Sequence, residues 1–137
     1  MTRFLLDTNV ISELRKIKPH GAVVAWLETL SVGQIFLSAV TMGELQSGVE
    51  LTRRQDPAKA HEIESFLTSV ALSFAFVPMD HACFREWSRL MAGKPDALWE
   101  DAMIAATAKV HSFTVATRDE KDFKRLGVEI FNPFKFH

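Results

Sequence analysis

Four acidic side chains stand at positions from which they could hold a divalent metal ion together. Asp7 directly follows the apolar run Phe4–Leu6, and Glu44, Asp101 and Asp119 occupy comparable places later in the chain. An apolar run that ends in an acid is typical of a buried parallel strand, whose carboxyl end is where open α/β sheets bind ligands. Clustered carboxylates need a counter-charge, and Mg²⁺ or Mn²⁺ are the hard cations that all-oxygen ligand sets prefer. The sequence predicts one Mg²⁺ or Mn²⁺ site formed by these four acids.

The first two acids also have simpler explanations. Asp7 could be a turn or cap residue, although Asn9 is available as the N-cap of the following helix and would leave Asp7 free. The segment from Thr41 to Glu44 fits a capping box, in which Glu44 would bond back to the Thr41 amide from the first helical turn. Both explanations stay open at this point.

Asp101 competes with its neighbour Glu100 for the third position. An acid is favourable in the first turn of any helix, whatever its function. At helical spacing, however, Asp101 shares a face with Ile104, Ala105 and Ala108, which should pack on the sheet. Glu100 is rotated away from that face by about 100°. Asp101 is therefore preferred as the site residue.

Asp119 follows a predicted strand and competes with Asp122, one turn later. A turn or N-cap role would explain Asp119 equally well. Thr117, just before it, could bring a hydroxyl group to the same place.

Apolar runs and helical periods alternate along the whole chain. Strands are predicted at 4–6, 35–38, 74–78, 113–117 and 128–131, and helices at 10–16, 23–30, 41–51, 58–70, 81–91 and 102–109. Asp80 is predicted to cap the helix that starts at residue 81. This alternation predicts the α/β class, with a parallel sheet covered on both faces and a single domain over residues 1–137.

Composition narrows the class of protein. A formal charge of −1 argues against a protein that coats nucleic acid by charge alone, but it allows a nuclease with a local basic rim. Cys83 is the only cysteine, which favours a reducing compartment, and no apolar run reaches membrane-spanning length. Cys83 and the five histidines show no zinc-ligand spacing, so zinc is not predicted. We expect a cytoplasmic protein without a signal peptide or membrane span.

Three basic clusters could contact phosphates near an acidic site. Residues 15–18, Arg53 and Arg54, and residues 121–125 each lie near a predicted helix end or the turn at Asp119. Favourable positive charge near helix C-termini explains such clusters as well.

Several short motifs, taken in order, resemble the PIN-domain family and in particular bacterial VapC-type and FitB-like toxins. The matching segments are Leu6–Ser12, Ser38–Leu45, Asp101–Ala108, Val115–Asp119 and Phe131–Pro133. One departure from the family pattern is Trp99-Glu100 before Asp101, where a small or apolar residue is more usual.

The resemblance implies a three-layer α/β/α nuclease that depends on Mg²⁺ or Mn²⁺ and cleaves RNA. It assigns the catalytic and metal-ligand roles to Asp7, Glu44, Asp101 and Asp119, with Asn9 and Thr117 as supporting residues. It also implies a homodimeric toxin inhibited by a small antitoxin, which alone would bring the complex to operator DNA.

Two other functions compete with the metal-dependent endoribonuclease. A catalytically silent PIN-type module could act with an antitoxin in a DNA-binding regulatory complex. A phosphoryl-transfer enzyme with Asp7 as nucleophile is disfavoured, because position 9 is Asn where phosphatases carry a second Asp.

Overall fold

The computed structural model describes residues 1–137 and is built around a five-stranded sheet in which every pairing is parallel. The strands are β1 (Phe4–Leu6), β2 (Ile35–Ser38), β3 (Ala75–Val77), β4 (Thr114–Ala116) and β5 (Ile130–Phe131), in the order β3-β2-β1-β4-β5. The predicted parallel sheet is confirmed. The last three strands are shorter than predicted, and β3 ends before Pro78, which has no amide hydrogen for the ladder.

Seven α-helices surround the sheet. They are α1 (Thr8–Leu14), α2 (Gly21–Glu28), α3 (Ala39–Arg53), α4 (Pro57–Ser73), α5 (His81–Met91), α6 (Trp99–His111) and α7 (Glu120–Arg125). The bounds of α5 agree with the prediction, and Asp80 caps it by accepting a hydrogen bond from the Cys83 amide at 3.0 Å. Helix α7 was not predicted, because its six residues are too few to show a helical period. None of these helices has the length and apolar character needed to cross a bilayer.

The apolar side chains of the strands separate into two cores, one on each face of the sheet. Leu5 and Val115 pack with the buried face of α6 and with Phe123 of α7. Leu6 and Ala116, one position further along the same strands, pack with residues of α1, α2 and α4 on the other face. Because side chains alternate along a strand, consecutive apolar residues can serve both cores. The three-layer α/β/α architecture is confirmed.

Two predicted N-caps are wrong, and both errors concern residues of the candidate site. The N-cap of α1 is Asp7 and not Asn9, since an Asp7 carboxylate oxygen accepts from the Thr8 amide at 2.8 Å. The N-cap of α3 is Ser38, whose hydroxyl accepts from the Val40 amide at 3.1 Å. Strand β2 therefore passes directly into α3. Glu44 becomes the sixth residue of that helix, beyond reach of a capping box.

Strand β2, which is flanked by β1 and β3, should be sensitive to a loss of side-chain volume. Leu37 is fully buried, so Leu37→Ala should lower the free energy of unfolding by about 3 kcal/mol through lost burial and the resulting cavity. Leu72, which is 85% exposed, provides the same substitution on the surface and should change stability by less than about 0.5 kcal/mol. Urea denaturation measures both. Equal effects of the two substitutions would contradict the assigned core.

Candidate metal-binding site

The three central strands end at the same level and present polar residues there. Leu6 of β1 pairs with Leu37 of β2 and with Ala116 of β4. The next residues in the three strands are therefore Asp7, Ser38 and Thr117. The chain places β2 and β3 on one side of β1 and then β4 and β5 on the other side. The carboxyl edge beside β1 is therefore a topological switch point, the usual location of ligand sites in open α/β sheets.

The Asp7 carboxylate is buried and held by hydrogen bonds to both of its oxygens. Oδ1 accepts from the Thr8 amide at 2.8 Å. Oδ2 accepts from the Thr117 hydroxyl at 2.8 Å and from the Asn9 side-chain amide at 3.1 Å. These contacts fix the orientation of the carboxylate. Asn9 and Thr117 therefore lie where supporting residues were predicted.

Thr117 also positions the turn that carries Asp119. Its hydroxyl oxygen accepts from the Asp119 amide at 2.9 Å while its hydrogen is donated to Asp7. Asp119 in turn caps α7, accepting from the Asp122 amide at 3.3 Å. The alternative prediction, that Asp119 is an N-cap, is thus correct as well, but it does not remove Asp119 from the site.

The other two predicted acids reach the same cleft from helices. The Thr8 hydroxyl donates to Glu44 Oε1 at 3.0 Å, which connects α1 to α3. At the start of α6, a carboxylate oxygen of Asp101 lies within 4.8 Å of oxygens from Asp119 and Asp122. All four predicted acids, Asp7, Glu44, Asp101 and Asp119, line one pocket that has no hydrophobic lining residue.

The proximity of these acids makes their ionised forms unfavourable. Burial, followed by the negative charges of Asp7 and Asp119, raises the pKa of Asp101 to about 7. Burial raises the pKa of Glu44 to about 8, and a hydrogen bond with the Glu100 carboxyl adds to the increase. Burial also raises the pKa values of Asp7 and Asp119. None of the four carboxylates forms an ion pair with a basic side chain that would offset its charge.

Two neighbouring acids that competed for a site role both contact the cluster. Glu100 is exposed, lies outside the pocket and forms a side-chain hydrogen bond with Glu44. Asp122 lies beside Asp101 and Asp119. The structure therefore places Asp101 in the pocket and Glu100 on its rim, and it adds Asp122 as a fifth carboxylate.

The basic rim of the pocket is formed by only two side chains, Lys16 and Arg118. Lys16 belongs to a predicted cluster, whereas Arg118 was missed. Its guanidinium carbon lies 3.8 Å from the centroid of the Phe134 ring, which the sequence could not reveal because the two residues meet only in the folded chain. Arg53 instead pairs with Glu50 within α3 and joins α3 to α4 through an ion pair with Glu64.

The donor set fits a hard divalent cation. It consists of carboxylate oxygens, supplemented by the hydroxyl and amide groups of Thr8 and Asn9, and contains no thiol or imidazole. Such a set suits Mg²⁺ or Mn²⁺ better than softer metals. Burial and the neighbouring negative charges both raise the pKa values of Asp101 and Glu44, and a cation there would offset both effects. In chemical terms, the cleft could bind a cation together with a phosphate ester.

The architecture and the site together define a class of protein, an α/β/α domain with an acidic cleft at the carboxyl edge of a parallel sheet. The PIN domain family model matches residues 4–129, so this chain belongs to the PIN-domain family. It is 39% identical to the toxin FitB of Neisseria gonorrhoeae, over 95% of this chain and 97% of FitB. It is 37% identical to the VapC ribonuclease Y4jK of Sinorhizobium fredii, over 96% and 97% of the two chains.

Solved structures show the same similarity. The crystal structure of FitAcB from N. gonorrhoeae matches with a TM-score of 0.85 at 38% identity, covering 97% of this chain and 99% of that chain. The structure of FitAB bound to an IR36 DNA fragment matches with a TM-score of 0.83 at 35% identity, covering 98% and 97%. VapBC-5 from Mycobacterium tuberculosis, a member of the VapBC family of toxin–antitoxin systems, matches with a TM-score of 0.68 at 28% identity, covering 96% and 99%.

The burial of Asp101 and the negative charges around it predict a pH-dependent stability for the metal-free protein. A carboxyl with a raised pKa in the folded state binds more protons folded than unfolded. Its contribution to stability therefore falls as pH rises from about 4, the unfolded pKa, to about 7, the pKa of folded Asp101. Asp101→Asn should remove this loss and stabilise the chelator-treated protein at pH 8. The expected gain is about 1–2 kcal/mol, less than the pKa alone would give, because Asp101 is only half-buried and solvent screens its charge.

Thermal and urea unfolding of both proteins at pH 5 and pH 8 measure this effect, and the gain should shrink at pH 5. The matched control is Asp96→Asn, which neutralises an exposed acid outside the pocket and should have no comparable effect. A variant that is less stable than the parent at pH 8 would contradict the assigned repulsion.

Proposed function

We propose that this chain is a toxin of the VapC and FitB type, a metal-dependent endoribonuclease that hydrolyses RNA phosphodiester bonds. The observation that carries the proposal is the convergence of Asp7, Glu44, Asp101 and Asp119 on one open cleft, where none of the four forms an ion pair with a basic side chain. The ribonuclease name of the Y4jK relative and the similarity to FitB support RNA as substrate and a toxin role.

The four carboxylates would hold the ion, which we propose to be Mg²⁺ or Mn²⁺. When bound, it would supply Lewis-acid stabilisation of the phosphate oxygens and neutralise the acidic cleft. Asp7 would be the best oriented of the four, since Thr8, Asn9 and Thr117 fix its plane. Asp101 lines the same cleft at the start of α6, so its carboxylate would also be placed to accept a proton from the attacking water.

Lys16 and Arg118 would hold the RNA backbone against the acidic cleft. Arg118 is well suited because its stacking on Phe134 leaves guanidinium N–H groups available to a phosphate. Lys16 is bonded to the buried Glu13 at 2.9 Å, which keeps its ammonium at the pocket edge. This local pair of cations would act although the whole chain carries a formal charge of −1.

The proposed protein partner is a small antitoxin that covers the cleft. Beside Glu44 and Glu100 runs a second groove with apolar side chains, including the exposed Leu51 and Trp99. A peptide with an apolar face and a basic residue would match this groove and the adjoining acidic site. We also propose a homodimer in the cytoplasm, on the family resemblance and on the single cysteine. Contact with operator DNA would come only through the antitoxin, in line with the FitAB complex bound to DNA.

A second candidate function is a catalytically silent module that acts only in a regulatory DNA-binding complex. The FitAB–DNA structure favours keeping this alternative. Antitoxin-free protein that is folded and binds Mn²⁺, yet leaves cellular RNA intact, would establish this alternative and reject the nuclease.

The first test is the cleavage of total cellular RNA by antitoxin-free protein. Fragments should appear with Mg²⁺ or Mn²⁺ and disappear with chelator. Asp7→Asn and Asp101→Asn should each lower the rate by at least about a hundredfold, since even outer-shell changes at metal sites cost 10- to 100-fold. Asp96→Asn is the matched control and should cleave like the parent. Full activity of a folded Asp7→Asn protein would reject its assigned role.

The basic rim predicts a defect in binding and not in chemistry. Arg118→Gln should raise KM for RNA about three- to tenfold with little change in kcat, because one charge-assisted phosphate contact is lost. The dependence of kcat/KM on salt should also become weaker. Arg125→Gln removes an exposed arginine outside the pocket and should leave both constants unchanged. A selective fall in kcat would instead place Arg118 at the reacting phosphate.

A further inference from the structure

A carboxylate, a thiol and an imidazole meet at the end of α6 opposite to Asp101. Ligand atoms of Asp80, Cys83 and His111 lie within 4.8 Å of one another. Asp80 and Cys83 belong to the start of α5, and His111 is the last residue of α6. His111 precedes β4 whereas Asp119 follows it, so the two clusters are at opposite edges of the sheet. Along α6, the ten residues from Asp101 to His111 span about 15 Å.

We propose that Asp80, Cys83 and His111 form a second metal site, one that takes Zn²⁺. A sulfur, a nitrogen and an oxygen donor are a typical zinc ligand set, and three protein ligands leave the fourth tetrahedral position to water. The carboxylate cleft offers oxygen donors only and suits harder ions. The two sites therefore differ in place and in metal preference, and this proposal does not depend on the proposed nuclease function.

The hydrogen bonding of His111 is the second observation that supports a ligand. Its Nε2 atom is the single buried side-chain polar atom of the chain without a hydrogen-bond partner. Buried polar atoms are normally paired, and an imidazole without a partner is a feature that needs an explanation. Coordination of an ion by Nε2 would give this atom the partner that it lacks.

The capping role of Asp80 is compatible with coordination. The Asp80 carboxylate accepts from the Cys83 amide at 3.0 Å and also from the Cys83 thiol, so two of the three proposed ligand groups are already in contact. Ligand atoms around tetrahedral zinc lie about 3.5 Å apart, as bond lengths near 2.0–2.3 Å require. Side-chain rotations at the exposed Asp80 and at His111 would bring the three ligand atoms, now within 4.8 Å of one another, to such distances.

The charges also balance on binding. The Cys83 sulfur is fully buried, and burial raises the pKa of its thiol, so the metal-free site holds a protonated sulfur. Coordination replaces the thiol proton with the metal and releases that proton to solvent. One thiolate and one carboxylate then neutralise the two positive charges of Zn²⁺, with His111 neutral.

This site could not be predicted from the sequence, because its ligands come from two different helices. Asp80 and Cys83 have a spacing that a helix cap explains, and His111 is 28 positions further along. The packing of α5 against α6 brings them together. The sequence predicted no zinc site, and the present proposal revises that expectation.

The test uses Co²⁺ as a spectroscopic substitute for zinc in a protein whose carboxylate cleft is disabled by Asp7→Asn and Asp101→Asn. A near-ultraviolet sulfur-to-cobalt charge-transfer band should appear, saturate at one ion per chain and be displaced by Zn²⁺. His111→Gln should weaken binding at least about tenfold, since ligand loss costs no less than loss of an outer-shell partner. Cys83→Ala should abolish the band, and His61→Gln, on the surface of α4, should not affect it.

Two results would overturn the proposal. One is a folded protein, shown by circular dichroism, that gives no charge-transfer band with excess Co²⁺. The other is a band that His111→Gln leaves unchanged, which would indicate adventitious binding to the thiol alone. If Cys83→Ala fails to fold, His111→Gln still decides, together with the proton released when Zn²⁺ is added to the unsubstituted thiol.

Discussion

The main physical constraint on this structure is that several carboxylates are held close together against their mutual repulsion. The parallel sheet makes this possible because it brings strand ends from distant parts of the sequence to one edge, where Asp7 and Thr117 are level. Helices α3 and α6 then add Glu44 and Asp101 from above the same edge. The free energy for this arrangement comes from the two apolar cores, in which residues such as Leu5 and Leu6 are completely buried. The fold thus stabilises a charge cluster that would otherwise disperse.

The same repulsion explains how a metal-free form of such a protein persists. At neutral pH the raised pKa values of Asp101 and Glu44 allow protons to take the place of a cation. A proposed ion would therefore compete with protons, and its affinity would rise with pH through this range. Glu100 contributes to this balance, because its hydrogen bond and its negative charge help to raise the pKa of Glu44. The unusual acid before Asp101 in the sequence thus has a physical consequence at the rim of the cleft.

Much of this arrangement could be predicted from the sequence, and the exceptions have identifiable physical causes. The positions of strands and of helix α5 follow from apolar runs and a clear cap at Asp80. Asp7 and Asp119 could be located because each follows a strand, and Asp101 because it lies in the first turn of a helix. Glu44 reaches the cleft from the second turn of α3, although the sequence predicted it in the first. The start of α3 was mistaken because Ser38 and Thr41 are both good caps, and only the end of β2 decides between them. Arg118 and the pair of Cys83 with His111 could not be found, since their contacts are formed only by tertiary packing.

Asp7 shows how one side chain can serve the fold and the site together. An N-cap needs one oxygen, and Oδ1 fulfils that role with the Thr8 amide while a second lone pair on the same oxygen stays free. Oδ2 has both lone pairs occupied by Thr117 and Asn9. The carboxylate can therefore offer a ligand in one direction only, and any rotation would break three hydrogen bonds at once. Because Thr117 also holds the Asp119 amide, the geometry of two acids is fixed by a single hydroxyl group. A site prepared in this way needs little reorganisation when a cation binds, which is the condition for electrostatic stabilisation to be effective.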